Sequence, residues 1–148
     1  MEEMQRDILS NGCMEAASSR LNQGKRLLKS GNYEEAVSNG YEGMLLGMES
    51  VLALDDKTFR NSVKEELPAE GVKEIIPLFT QMYLDSEILP PEWKETSKAL
   101  QKAQAEIRTH EDYRIPKEQA GRLISQTQGF LQEMVDFLVM RNARYAGQ

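Results

Sequence analysis

The sequence predicts an all-α protein: an antiparallel up-and-down four-helix bundle with one additional short helix. Four long segments carry apolar residues at spacings of three and four, the repeat of one helix face. Short stretches of helix-stopping and helix-starting residues separate them. No alternating strand pattern longer than a few residues interrupts them. A chain of 148 residues has room for a single domain, 1–148, around one continuous core.

In the first segment Leu9, Cys13, Ala17, Leu21, Gly24 and Leu28 make one stripe. "KSGNYEE" ends it, with Lys29 in the last turn, Gly31 suited to a left-handed cap and Asn32 opening the next helix. Glu35 follows Asn32 at the spacing of a capping box. So tight a turn predicts two antiparallel helices.

The second helix, about 33–54, carries two stripes. Val37, Tyr41, Met44, Met48 and Val51 are large, whereas Ala36, Gly40, Gly43, Gly47 and Ser50 are small. A glycine inside a helix costs roughly 1 kcal/mol relative to alanine. Gly40, Gly43 and Gly47 therefore call for the close approach of another backbone, from a helix of the same chain or from a partner subunit.

Residues 55–70 are charged and broken by Pro68, the best candidate for a mobile connection. Val72, Ile75, Ile76, Phe79, Met82 and Tyr83 then return to helical spacing. Pro77 makes that helix short or kinked. "ILPPEW" is an extended entry, with Pro91 at or near a first helical position. Trp93, Thr96, Leu100, Ala103 and Ile107 mark a long helix running to about Asp112. The last helix begins near Pro116: Leu123, Thr127, Phe130, Met134 and Phe137 form one row, with Ala120, Ile124, Leu131 and Leu138 beside it. It fades into a frayed tail at 141–148.

Lysine and arginine number 18 against 24 acidic residues, a net charge of −6. That balance disfavours a broad phosphate-neutralising surface and tight binding to duplex DNA, while leaving room for a local basic pocket. No apolar run approaches the roughly 18 residues of a membrane span, so no membrane association is expected. "MEEMQRDILSNG" is unlike a signal peptide, which makes a cytoplasmic location the expectation. Cys13 stands alone and falls on an apolar stripe, so it reads as a small core residue; no intrachain disulfide or cysteine zinc site can form. The sequence has no phosphate-binding glycine loop, no acidic calcium-loop spacing and no pair of metal-binding histidines, and no cofactor is expected.

One stretch concentrates chemistry: "EIRTHEDYRIP", residues 106–116, which holds the single histidine, His110. Arg108 and Asp112 are four apart and would meet on one helix face. Arg108 and Arg114 suit the negative end of the helix dipole. The ring of Tyr113 could close the bundle while its hydroxyl reaches water. Those structural roles account for the charges without any function.

The chain resembles the HEPN domain family, small all-helical proteins named for nucleotide binding in higher eukaryotes and prokaryotes. The resemblance rests on an ordered set of motifs covering about residues 21–138. "GNYEEAVSNGYEGM" is similar to the family's helix-turn-helix, "GVKEIIPLF" to its short central helix, "LPPEWKETSKALQKAQAEIRTHEDY" to the long helix ending in an arginine and Asp-Tyr, and "IPKEQAGRLISQTQGFLQEMVDFL" to the closing helix. It implies a bundle that often dimerises and is often encoded beside a minimal nucleotidyltransferase in a toxin–antitoxin-like pair. Many members cleave RNA with an arginine and, four to six residues on, a histidine, across a dimer cleft. Here Arg108 keeps the arginine position, Tyr113 stands where the histidine would be, and His110 is too close. Metal-free RNA cleavage needs a group titrating near working pH, and tyrosine titrates near 10.

Three functions follow as expectations. The first is a non-catalytic module that binds a nucleotide through Arg108, Asp112 and Tyr113, or binds a partner such as a nucleotidyltransferase. The second is a metal-independent ribonuclease toxin using Arg108 with Tyr113 or His110. The third is a structural homodimer, with Gly40, Gly43 and Gly47 at its interface, acting through an unidentified protein partner.

Overall fold

The computed structural model describes residues 2–55 and 75–146, with side chains for residues 7–55 and 75–141. Among these residues it is all-helical, with no strand. Helix α1 is Glu2–Lys29, α2 Tyr33–Asp55, α3 Ile75–Phe79, α4 Trp93–Thr109 and α5 Lys117–Ala146; a π-helical turn, Thr80–Leu84, continues α3. The expected connection at 55–70 lies outside the described residues beyond Asp55. At 141–148 only backbone is described beyond Arg141, helical to Ala146.

The α1–α2 turn forms because Gly31 adopts φ 85, a left-handed conformation that costs glycine nothing. Asn32 N–H then bonds to Leu27 O at 2.9 Å and Gly31 N–H to Leu28 O at 3.3 Å, the paired bonds of a Schellman cap. The capping box does not form: Asn32 turns its amide back to Ser30 Oγ at 3.0 Å. Its backbone carbonyl still starts α2, accepting Ala36 N–H at 3.0 Å. Contacts then run in opposite order along the two helices, Gly24 beside Ala36, Ala17 beside Gly43 and Cys13 beside Glu49. The pair is antiparallel.

Helix α2 packs against each of the other four helices, which explains its two stripes. Val37, Met44, Met48 and Val51 are buried, and so are Ala36, Gly40, Gly43, Gly47 and Ser50. The glycines are occupied within the chain. A Cβ on Gly43 would meet the α1 backbone at Ala17 O, 3.4 Å away; on Gly40 it would meet Ile124 and Thr127 of α5 at 3.2 and 3.3 Å. Gly47 lies against Leu131, Phe130 and Met134 of α5. A partner helix could reach these three positions only by displacing α1 or α5, so the small stripe serves internal packing rather than an exposed seam.

Beyond Pro77 the chain widens into the π-helical turn, closed by Asp85 N–H to Thr80 O at 2.8 Å. The wider turn sends Phe79, Tyr83 and Leu84 all into the core. Their rings join a cluster: Phe79 meets Tyr83 at 5.2 Å and Phe130 at 5.9 Å, and Trp93 meets Phe130 at 5.6 Å, mostly edge-on. Such pairs add roughly 0.5–1.5 kcal/mol each beyond area burial. Both predicted rows of α5 are buried throughout. No helix among the described residues is long and apolar enough to cross a membrane.

Candidate functional site

Helix α4 stops at Thr109, three residues short of the predicted end. His110 leaves the helix at φ −129, ψ 105 after donating its N–H to Glu106 O at 3.1 Å. Pro116 disfavours helical backbone only at Ile115, the residue immediately before it. A tight turn follows, Tyr113 N–H to His110 O at 3.1 Å. Pro116 O then accepts Ala120 N–H at 3.0 Å and starts α5.

This shortening separates residues the spacing had joined. Asp112 falls in the turn rather than on the helix, so the expected Arg108–Asp112 pair on one helix face is not made. Arg108 and Asp112 are both exposed, and among the described residues neither side chain makes a hydrogen bond or ion pair. His110 is exposed, its Nε2 3.7 Å from Glu106 Oε2. Arg114 bends onto the loop itself, donating to the carbonyls of Glu111 at 3.2 Å and Tyr113 at 2.9 Å. Tyr113 is half-buried and packs against the core, as its ring was expected to do.

The loop is held from across the molecule. Ile115 is buried, and its N–H, which has no helical partner, donates to Glu34 Oε2 at 2.9 Å. Glu34 lies in the first turn of α2, where a carboxylate also suits the helix dipole. Between residues 31–35 and the loop lies an open cleft of about 680 Å³, lined by Tyr33, Glu34, Glu35, His110, Tyr113 and Arg114 among others. Arg108 and Asp112 do not line it. The structure thus brings Tyr113 and His110 to one cleft and leaves Arg108 and Asp112 on the neighbouring surface. Among the described residues no side-chain hydrogen bond joins His110 to Tyr113, so these two do not form a nucleophile–base pair. Among the described residues no group of three or more histidine, cysteine or acidic side chains could hold a metal ion.

Two polar groupings escaped the sequence reading. Cys13 Sγ donates to Glu49 Oε2 at 3.8 Å. Burial, then the Glu49 charge and hydrogen bond, push the thiol up to about 12. Burial raises Glu49 as well, against the lowering effect of the Cys13 bond. At the far end of α2, Asp55 accepts the Tyr83 hydroxyl at 2.6 Å and pairs with Arg141. Neither has a sequence signature, because the partners are 28 to 86 residues apart. No family model matches the chain, and no curated protein or solved structure matches it.

Proposed function

We propose that the chain is a HEPN-like module, a single up-and-down four-helix bundle with one short extra helix, that binds a nucleotide or a protein partner without histidine-dependent catalysis. One observation carries the reading: Arg108 in the last turn of α4 and His110 and Asp112 just beyond it stand exposed beside a loop held by the Glu34–Ile115 bond, and among the described residues no hydrogen bond joins His110 to Tyr113. A held loop with exposed charges is pre-organised for recognition, because little ordering entropy remains to be lost on binding. A minimal nucleotidyltransferase is the partner this reading favours, and a homodimer the assembly.

Titration calorimetry with a panel of nucleotides, together with a pull-down using the purified nucleotidyltransferase, tests it. Binding of either, weakened at least tenfold in Arg108→Ala, supports the module; silence in both sinks it. A ribonuclease reading draws on the same loop, since His110 and Tyr113 line one cleft. Incubation with RNA separates the two. Cleavage that disappears in both Arg108→Ala and Tyr113→Phe would favour the enzyme, and light scattering reads the assembly state.

A further inference from the structure

Asp55 ends α2, and its Oδ2 serves two donors from distant parts of the chain, the Tyr83 hydroxyl at 2.6 Å and the Arg141 guanidinium. The hydroxyl also reaches Val51 O at 3.3 Å. The guanidinium lies over the Phe137 ring, 5.3 Å from its centre, and that ring meets Tyr83 edge-on at 5.7 Å. The side chains of Arg141 and Asp55 are only 27% and 16% exposed, so solvent screens this pair far less than an open surface ion pair.

We propose that Asp55, Tyr83 and Arg141 form a conformational clasp that sets how readily residues 80–89 open, separately from the rest of the bundle. Among the described residues the segment's backbone is bonded mainly to itself. Its backbone bonds Asp85 N–H to Thr80 O, Glu87 N–H to Leu84 O and Leu89 N–H to Tyr83 O all close within itself. Glu87 sits at φ 62, a left-handed conformation that strains any residue with a Cβ. Residues 85–88 are exposed, and the Lys94–Asp85 ion pair is half-exposed. Phe79, Tyr83 and Leu84 are buried, but apolar burial is non-directional; the clasp fixes where Tyr83 sits. Removing one member leaves a half-buried polar group with part of its bonding lost, which costs more than the bond itself contributes. At 1.5 Å per residue, α2 places the clasp roughly 30 Å from the α4–α5 loop, so the device is independent of what that loop binds.

Native-state hydrogen exchange on the full chain tests the clasp, with Asp85, Glu87 and Leu89 amides as reporters and residues 44–51 and 124–131 as the reference. Arg141→Gln should speed the three reporters about tenfold and leave the reference unchanged. Asp55→Asn added to it should contribute little more, since the two act as a unit. Tyr83→Phe, which keeps its ring contacts, should speed the same three amides. The clasp is overturned if reporters and reference accelerate together, or if neither moves.

Discussion

A methyl group placed on Gly47 would meet Leu131 Cδ2 at 2.6 Å and Phe130 at 3.5 Å, whereas on Gly43 its nearest neighbour is the Ala17 carbonyl at 3.4 Å. Leu131 is buried and must turn within packed core, so Gly47→Ala should cost about 1–3 kcal/mol. Gly43→Ala meets ordinary contact and should gain up to about 1 kcal/mol from helix propensity. Urea midpoints of the two variants should therefore move in opposite directions. Glu49 gives a pH signature. Its folded pKa is raised, so the stability it contributes is full below its ordinary 4.5 and is lost as pH rises above that value. Glu49→Gln should remove that decline, checked by thermal melts across pH 4 to 8. Cys13, with its thiol pushed up to about 12, should react slowly with a disulfide reagent until the chain unfolds.

At the scale of elements, the α4–α5 loop depends on one bond from α2. Glu34→Ala would strand the Ile115 N–H and should cost about 1–2 kcal/mol, read as a lower urea midpoint and faster exchange at Ile115. The long helices were legible because their stripes, such as the two rows of α5, report burial directly. The Gly31 turn was legible because left-handed backbone selects glycine. The capping box was not, since Asn32 had a local alternative in Ser30 that spacing cannot weigh. The end of α4 was misjudged because Arg108 and Asp112 have helical spacing, while the backbone turns extended at His110, which no neighbouring glycine or proline marks. The cleft beside Tyr113 was out of reach for another reason: half its wall comes from residues 31–35, far away in sequence.

At the scale of the whole molecule, α2 is the axis, reached by α1 at Gly43 and by α5 at Gly40 and Gly47. Phe130, touched by Phe79, Trp93 and Gly47, sits where those elements converge, and Phe130→Ala should cost about 3–5 kcal/mol. The order of these elements also has a consequence during synthesis. The α1–α2 hairpin is made of near-neighbour contacts and can form early, but the face of α2 that meets Leu131 and Met134 stays bare until residues 117–146 emerge. A fragment of residues 1–55 should therefore be helical yet bind a hydrophobic dye, and the nascent chain should hold an open apolar flank that a chaperone can grasp.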